Sequence, residues 1–477
     1  MPEAANAAVH QGWLSLIPAF AAITFALLFR RTFEALLGAS VLGFILLHVL
    51  GLLEVDFFTG FVQNLQKVMA DPVIVWIMLV VGLFGGLIAL LVKSGGALAF
   101  GEVVSGLVKG RRGALVVAWC LGIIIFIDDY LNALVVGSAM RRVTDKFRVS
   151  REMLAYVVDS TAAPVCVIIP FSTWALFTAG LLADNGVAAA GEGLSLYMTA
   201  IPYMLYPFIT LAMVLLFALG ILPEFGPMRA AEERARAGQP IPPGSENVTL
   251  LDREHESVVP AERARLLNFL LPIGVLIVAS WFPGTDIANG VWIGEIDAIK
   301  GVLAAIVVTS FLFLFQRLTS PTEFSEVFFS GVRSMVYPLA IVVMSFVLVE
   351  VNNKLGLTTF VIEGLRPLMH GGLFPAVVFT ACAAICFMTG SYWGTFAIAL
   401  PIVLPMAKEL DSSIPLAIGA VVSAGAFGSH LCPFGDATVL SSAASGCNNL
   451  AHVRTQMPYG LIAGGLTVVG YAILGMM

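Results

Sequence analysis

The chain has 477 residues, of which 59% are hydrophobic and only 12% are charged, and its formal net charge is −6. This charged share is about half that of a soluble domain, and many windows of about 20 apolar residues are long enough to cross a bilayer as helices. The composition therefore predicts an all-α polytopic membrane protein. Because the sequence carries no phosphate-binding loop, ATPase signature or redox-cofactor motif, we expect neither an ATP-driven pump, nor a respiratory subunit, nor an enzyme.

Three predicted spans open the chain, at 12–29, 33–53 and 73–92. Lys and Arg concentrate on the cytoplasmic side of short loops, so Arg30 and Arg31 are expected inside. The N-terminus, with no basic residue in its first eleven, is then outside. The third span runs inward and leads into an interfacial helix, "KSGGALAFGEVVSGLVKGRR", with basic residues at both ends.

The next element, 113–140, carries two adjacent carboxylates in "FIDDYLNALVVG". A single crossing would place the five basic residues of "RRVTDKFRVSR" outside, against the charge rule. The preferred alternative is a re-entrant hairpin, in which 113–127 enters, "IDDYLN" turns and 133–140 returns. The returning arm of about eight residues is too short to span the bilayer at about 1.5 Å per residue. Irregular backbone at membrane depth must face protein or water, so we expect the turn to line a cavity.

A broken span follows at 153–182, interrupted by "DSTAAP". Pro164 disfavours a continuous helix, and the polar residues before it offer local hydrogen bonds. A span at 196–222 completes the first membrane half, 1–222. The polar segment 223–265 is rich in charges, Pro and Gly, and is predicted to be a flexible cytoplasmic loop. Its charges are interpreted as solvating the loop, with a regulatory role as the alternative.

The second membrane half, 266–477, repeats this plan. Its predicted elements are spans at 266–284, 299–316 and 334–351, an interfacial helix in "KLGLTTFVIEGLRPLMHGG", a hairpin at 373–407 with "FMTGSYWGTF" at its turn, a broken span at 412–445 containing "GSHLCPFGDATVLSS", and a last span at 458–476. With a shift of 261 positions Lys93 matches Lys354 and Phe126 matches Phe387. The charge rule gives the two copies opposite orientations. We therefore predict about ten spans in two inverted-topology repeats, each with a re-entrant hairpin and a broken helix, as in secondary transporters.

Five ionisable side chains fall in the predicted breaks and turns: Asp128, Asp129, Asp159, His430 and Asp436. Such residues are costly inside a membrane and are functional candidates, and interlocking repeats are expected to bring all five to one volume. Hard cations such as Na⁺ take oxygen ligands, and neighbouring buried carboxylates bind protons more readily than carboxylates in water. Asp159 and Asp436 are expected to be the main ion and proton carriers, assisted by Asp128, Asp129 and Asn132. A Na⁺ ion is expected at Asp159, Asp436 and Asn132.

Neutral oxygens near these residues are expected to support ion or substrate binding. They belong to Ser160, Thr161, Thr389, Ser391, Thr395 and Thr438, and His430 is placed in the same supporting group. Structural alternatives stay open, because at least one of the paired aspartates can cap the returning helix, Asp159 and Asp436 can cap half-helices, and His430 can be a satisfied buried histidine. Tyr130 and Trp393 are interpreted as packing residues. The six cysteines fit no metal spacing and are also interpreted as packing residues.

Three motifs, "FIDDYLNALVVGSAMRRVTD", "SREMLAYVVDSTAAPV" and "GSHLCPFGDATVLSSAA", resemble the NhaC-type Na⁺/H⁺ antiporter family of the ion-transporter superfamily. The resemblance extends over nearly the whole chain. It implies a sodium-linked secondary transporter with two opposed hairpins and two broken helices, working as a homodimer with an elevator motion. The resemblance includes family members that move amino acids or hydroxy acids as well as bare ions. Other members often have a Ser- or Thr-rich run where this chain has "CPFGDAT", so Gly435 removes one hydroxyl ligand.

Two functional hypotheses follow. The first is Na⁺/H⁺ antiport across the inner membrane by alternating access, driven by the proton gradient, with both chain termini outside and no cofactor. The second is Na⁺- or proton-coupled transport of a small organic solute such as an amino acid or carboxylate, motivated by the hydroxyl-rich "TGSYWGT". A channel or receptor is the third alternative. The lipid bilayer is the expected environment, and no nucleic-acid partner is expected.

Overall fold

The computed structural model describes residues 10–29, 31–126, 128–170, 172–184, 187–188, 192–245, 265–281, 284–286, 291–293, 298–368 and 371–477. These residues are almost entirely helical. One small antiparallel hairpin, β1 (Gly284–Asp286) with β2 (Val291–Ile293), lies between helices of the second half. The prediction of an all-α polytopic membrane fold is confirmed.

Thirteen helices are described before residue 245. They are α1 (Ile17–Phe29), α2 (Thr32–Val49), α3 (Phe57–Met69), α4 (Pro72–Lys93), α5 (Gly96–Leu107), α6 (Arg111–Ile124), α7 (Asp129–Lys146), α8 (Arg151–Thr161), α9 (Ala163–Ile168), α10 (Thr173–Asp184), α11 (Gly193–Ala200), α12 (Leu205–Ala218) and α13 (Gly226–Arg236). The amphipathic helix α3 was not among the elements predicted from the sequence.

Ten helices are described after residue 265. They are α14 (Leu267–Trp281), α15 (Ala298–Gln316), α16 (Pro321–Ser334), α17 (Val336–Leu355), α18 (Leu357–Leu365), α19 (Phe374–Thr389), α20 (Tyr392–Glu409), α21 (Ile414–Leu431), α22 (Asp436–Ser445) and α23 (Asn449–Met476). From α3 to α10, each helix begins 261 to 264 residues before its counterpart between α16 and α22, except that α8 and α9 together match the single helix α21. The order of elements is therefore repeated within the chain.

Eight of the described helical segments are long and apolar enough to cross a membrane. The number is nine if the bent pair Gly193–Tyr203 and Leu205–Ala218 forms one span. The sequence predicts about ten, because it also counts 12–29 and 266–284, while it assigns the span Gly371–Thr389 to a hairpin. The apolar helices in those two regions, Gly12–Phe25 and Leu267–Ser280, are shorter than the length that the other spans reach.

Helices α6 and α7 form a helical hairpin, in which α6 ends at Ile124 and α7 begins at Asp129. Asn132, in the first turn of α7, holds the tip together, since its amide nitrogen donates to the carbonyl oxygens of Gly122 at 2.6 Å, Ile125 at 2.9 Å and Thr161 at 2.9 Å. These carbonyls belong to the ends of α6 and α8, which lack intrahelical donors. The predicted turn "IDDYLN" is too long, because residues from Asp129 onward are already helical. The returning helix has 18 residues rather than the predicted eight.

The broken span of the first half has two interruptions. Helix α8 ends at Thr161, and α9 begins at Ala163 with Pro164 in its first turn, where a missing N–H removes no helical bond. A second interruption at 169–172 separates α9 from α10, and the sequence does not predict it. It is the second interruption that corresponds in the repeat to the break between α21 and α22.

Segment 223–245 is docked on the membrane helices, so the prediction of a flexible loop is wrong for this part. The buried Glu232 of α13 accepts hydrogen bonds from the Ser150 backbone N–H at 3.1 Å and hydroxyl at 2.6 Å, and it pairs with Arg111. Arg234 donates to both oxygens of Glu152, at 2.9 and 2.7 Å. The rest of the predicted loop, 246–264, lies outside the described residues.

These contacts also place the start of α6 and the end of α7 on one side of the molecule. Arg111 opens α6, and Ser150 caps α8 just after α7 has ended, yet both bind Glu232. Arg148 donates to the carbonyl of Arg236 at the end of α13, at 3.3 Å. The hairpin tip with Asp128 and Asp129 therefore lies at the other end of α6 and α7.

Helices α7 and α22 pack side by side. A Cβ atom on Gly137 of α7 would stand 2.6 Å from the Cβ of Ala444 in α22, so a larger side chain does not fit without a shift. At the same end, Arg141 of α7 donates to the carbonyl of Ala444 at 2.6 Å, and Arg151 donates to that of Gly446 at 3.2 Å. These cations satisfy the last carbonyls of α22 and complement its dipole.

Candidate functional site

Four helices begin close to one another at the hairpin tip: α7, α10, α20 and α22. The Tyr130 hydroxyl of α7 donates to Asp436 Oδ2 of α22 at 2.5 Å. The Thr173 hydroxyl of α10 donates to Asp128 Oδ2 at 3.1 Å. The rings of Trp174 in α10 and Tyr392 in α20 stack with centroids 3.5 Å apart. Helix N-termini favour negative charge, so carboxylates are stabilised at this meeting point.

Asp128 and Asp129 have different roles in the structure. Asp128 is the N-cap of α7, where its Oδ1 accepts from the backbone N–H groups of Tyr130 at 3.0 Å and Leu131 at 3.1 Å. Asp129 is the first helical residue and is 1% exposed, yet neither of its carboxylate oxygens has a hydrogen-bond partner in the described part of the chain. Of the two neighbours, Asp129 is the one left free to bind something else.

Asp436 is the first residue of α22 and is 2% exposed. Among the described residues, it accepts from the Tyr130 hydroxyl and from the N–H of Ala437, the latter at 2.8 Å. Asp129 lies within electrostatic range of both Asp128 and Asp436. No Lys or Arg of the described residues pairs with these three buried carboxyl groups, so they cannot all stay charged without a cation or proton to compensate them.

Among the described residues, no three His, Cys, Asp or Glu side chains converge to hold a metal ion. A monovalent cation at this site would therefore take one or two carboxylates, with the remaining ligands from neutral oxygens. We call Asp128, Asp129 and Asp436 the acidic cluster.

Aromatic side chains cover one side of the acidic cluster. Trp174 and Tyr392 pack with Trp393, whose ring centroid lies 4.5 Å from that of Tyr392, while Phe177 packs edge-on against Trp393 at 4.4 Å. The indole nitrogens of Trp174 and Trp393 and the Tyr392 hydroxyl are buried with no hydrogen-bond partner among the described residues. Trp174 faces Asp129 without the geometry of a hydrogen bond. The sequence predicts only packing for Trp393 and does not single out Trp174 or Tyr392.

Asp159 lies in a second, separate group of polar side chains. Its Oδ2 atom accepts from Gln456 Nε2 at 2.7 Å and lies 3.0 Å from His452 Nε2, and the Ser441 hydroxyl donates to its Oδ1 at 3.4 Å. All of these side chains are buried. The described partners of Asp159 and of Asp436 fall in two different groups, whereas the sequence predicts one Na⁺ shared by both with Asn132.

His430 belongs with Asp159 rather than with the acidic cluster. Its Nε2 atom lies 3.0 Å from the Ser160 hydroxyl and its Nδ1 atom lies 2.7 Å from the hydroxyl of Tyr206. Gln456 also donates to the carbonyl oxygen of His430. With both ring nitrogens engaged, His430 is a satisfied buried histidine, one of the two alternatives predicted.

The other predicted supporting side chains mostly bind backbone. Each of the following hydroxyls donates to a carbonyl oxygen: Thr161 to Val157, Thr389 to Ile385, Thr395 to Ser391 and Thr438 to Ser429. Ser391 caps α20 by accepting from Gly394. The amide nitrogen of Asn132 donates to three carbonyl oxygens, while its Oδ1 has no partner in the described chain. These residues therefore fix the breaks, and their lone pairs stay available as secondary ligands.

His452 and Gln456 are the main residues that sequence reasoning missed. They lie four residues apart on α23 and therefore project from the same face of the helix. The predicted last span begins only at 458, so both were left outside the membrane region. Their spacing in "HVRTQ" was the one signal that could have identified them.

The sequence profile of the Na⁺/H⁺ antiporter family matches residues 165–476. An uncharacterized protein of Haemophilus influenzae is 30% identical over 492 aligned residues, covering 97% of this chain and 90% of that protein. The malate-2H(+)/Na(+)-lactate antiporter of Bacillus subtilis is 30% identical over 139 residues, covering 28% of this chain and 29% of its own. The arginine/ornithine antiporter ArcD of Halobacterium salinarum is 28% identical over 236 residues, covering 47% of this chain and 45% of its own.

Proposed function

Because the chain belongs to the Na⁺/H⁺ antiporter family, we propose that this multi-span secondary transporter exchanges Na⁺ for H⁺ across the inner membrane. The observation that carries the proposal is Asp129, a buried carboxylate beside Asp436 that has no hydrogen-bond partner in the described part of the chain. An unpartnered buried carboxylate next to another one is costly, and binding of a cation relieves that cost. Na⁺ is the cargo here and not a resident cofactor.

Asp129 and Asp436 are the groups that we assign to Na⁺. Tyr130 already fills one oxygen of Asp436 and thereby orients it, while both oxygens of Asp129 can coordinate an ion. Asp128 adds negative charge nearby but spends its oxygens on the cap and on Thr173. The positive ends of the converging helices keep this negative site from being prohibitively costly in the ion-free state.

Transport in proteoliposomes tests this proposal. With a pH gradient imposed, addition of Na⁺ or Li⁺ is expected to dissipate the gradient, whereas choline is expected to leave it intact. A pH-sensitive dye inside the vesicles reports the change. Failure of Na⁺ and Li⁺ to change the internal pH would disprove Na⁺/H⁺ exchange.

The orientation in the membrane is part of the same proposal. Arg111, Arg148 and Arg151 lie at the α13 side, and basic residues mark the cytoplasmic side. Helix α23 starts at this side, where Asn448 binds Ser245, and its 28 residues span about 42 Å, so the C-terminus lies outside. We extend the proposal to opposed repeats, with the N-terminus also outside. To test this orientation, a cysteine is placed at either chain end and exposed to a membrane-impermeant label. We expect labelling from the outer side only.

A homodimer with an elevator motion remains an inference from the family resemblance. Crosslinking in native membranes gives a direct test. A single band at the monomer mass under conditions that trap known dimers would argue against it.

The aromatic side of the site favours a second candidate, coupled transport of a small organic solute. Within the described residues, Trp174, Tyr392 and Trp393 offer three buried donors without acceptors, and Asp129 offers two acceptors without donors. A solute with both an amine and a carboxylate would satisfy both sets, whereas Na⁺ satisfies only the acceptors. Two relatives are described as carriers of organic solutes, malate and lactate in one case and arginine and ornithine in the other.

A thermal-shift screen separates the two candidates. A solute that raises the unfolding temperature only when Na⁺ or acid pH is also present would favour coupled solute transport. Stabilisation by Na⁺ and Li⁺ alone, with every amino acid and carboxylate inactive, would favour simple cation exchange.

A further inference from the structure

Asp159 and His452 form a buried pair that the acidic cluster does not include. Their side chains are both 0% exposed, and His452 Nε2 lies 3.0 Å from Asp159 Oδ2. The pair joins α8 to α23, which are 293 positions apart in the chain. It is therefore a tertiary feature with no local capping function.

The pair needs one proton to be neutral. A carboxylate beside a neutral imidazole carries a charge of −1, and one added proton brings this charge to zero. Gln456 and Ser441 contribute only neutral donors, and among the described residues no Lys or Arg is paired with Asp159. Because a net charge buried in a membrane protein is costly, the proton is the natural compensating charge.

Of the described histidines, His452 is the one within hydrogen-bond distance of the Asp159 carboxylate. His430 of α21 faces Asp159, but hydroxyls occupy both of its ring nitrogens. Among the described residues, His430 also lies against the Tyr206 hydroxyl of α12 and stacks on the ring of Tyr156 of α8. The Nδ1 atom of His452, by contrast, is buried without a hydrogen-bond partner in the described chain.

The pair is also linked to the acidic cluster. Ser441, which donates to Asp159, lies five residues after Asp436 on the same helix, α22, or about 7.5 Å along its axis. A change of charge at Asp159 therefore acts on the helix whose first residue belongs to the acidic cluster.

We propose that the Asp159–His452 pair is the proton-binding site of the exchange cycle, separate from the cation site at Asp129 and Asp436. The inference rests on the proposed Na⁺/H⁺ exchange. One H⁺ from water on one side of the membrane binds at His452 Nδ1, while the Nε2–H group stays donated to Asp159. Release of that proton on the other side restores the charge of −1.

Two transport measurements on the same proteoliposomes test the proposal. The first is uptake of ²²Na⁺ driven by a pH gradient, and the second is exchange of ²²Na⁺ for Na⁺ at equal pH on both sides. In His452→Gln, whose amide can still donate to Asp159, we expect gradient-driven uptake to fall by about tenfold or more. Isotope exchange at equal pH is expected to persist, because the cation site is unchanged.

His430→Gln is the matched control, since it replaces a buried histidine of the same region whose partners are hydroxyls. We expect it to keep the ratio of the two rates. An unchanged ratio in His452→Gln, or a loss of both reactions with Na⁺-dependent thermal stabilisation intact, would overturn the proposal. If His452→Gln does not fold, Asp159→Asn decides by the same two rates and the same criteria.

Failure of the proposed function looks different. A wild-type protein that performs neither reaction would refute Na⁺/H⁺ exchange itself. A wild-type protein that performs both, with a His452→Gln variant that also performs both equally well, would refute only the separate proton site.

Discussion

Two adjacent aspartates offer a sharp test of the site. Asp128→Asn and Asp129→Asn each remove one negative charge at neighbouring, equally buried positions. Because Asp128 caps α7 and Asp129 has no hydrogen-bond partner among the described residues, we expect the same chemical change to weaken Na⁺ binding strongly at Asp129 and only slightly at Asp128.

The expected effect of Asp129→Asn is a loss of cation affinity. Two unit charges roughly 4 Å apart attract by about 4 kcal/mol at an effective dielectric constant of about 20. Removal of this attraction weakens Na⁺ binding by about a thousandfold. The fold should survive, since the substitution breaks no hydrogen bond to the Asp129 side chain from any described residue and removes an uncompensated buried charge.

The expected effect of Asp128→Asn is small. Asn is as good an N-cap as Asp, so its side-chain oxygen can keep the bonds to Tyr130 and Leu131. Asp128→Ala removes these bonds together with the one from Thr173, at a cost of about 3 kcal/mol in stability. The alanine variant should therefore unfold at a lower temperature while Asp128→Asn should not.

Thermal unfolding over a series of Na⁺ concentrations measures both effects at once. Na⁺ is expected to raise the unfolding temperature of the wild type and Asp128→Asn, and to leave that of Asp129→Asn unchanged. Loss of the Na⁺ response in Asp128→Asn with retention in Asp129→Asn would show that the roles are reversed. Equal loss in both would show that the distinction between cap and ion ligand is wrong.

Two further predictions concern stability. Glu232→Ala removes the acceptor of both Ser150 hydrogen bonds and leaves the partly buried Arg111 without one of its partners. The free energy of unfolding, measured by chemical denaturation in detergent, should therefore fall by about 3 kcal/mol. An unchanged denaturation midpoint would contradict the docking of α13. Gly137→Ala forces a Cβ against Ala444, so it should lower the free energy of unfolding by about 1–3 kcal/mol and weaken Na⁺ binding. Gly106→Ala is the control, since a Cβ there meets nothing within 4 Å and should change neither quantity. Equal effects of the two substitutions would contradict close packing of α7 on α22.

Local features of the fold could be predicted from the sequence, and so could the family. The family match confirms the resemblance that three motifs carry. Hydropathy predicts most helices, and Pro164 predicts an interruption beside Thr161 because its effect on the backbone is local. Capping by one member of the aspartate pair also depends only on neighbouring residues, and it was one of the alternatives considered.

The grouping of the candidate residues could not be predicted, because it depends on contacts between distant segments. Asp159 meets His452 across 293 positions, and no local pattern encodes that distance. The docking of α13 was missed for a related reason. Its charged composition is typical of a solvated loop, and only the partners Arg111, Ser150 and Glu152 on other helices make it an ordered part of the fold.

The close packing of α7 against α22 has an energetic consequence. Arg141 binds the C-terminal end of α22, and Gly137 allows α7 and α22 to touch. Helix packing therefore sets the positions of Asp129 and Asp436, at the N-terminal ends of these two helices, when the chain folds. The electrostatic repulsion between these two carboxylates is therefore present in the ion-free protein. A bound cation relieves that repulsion without having to gather its ligands, and both effects strengthen cation binding.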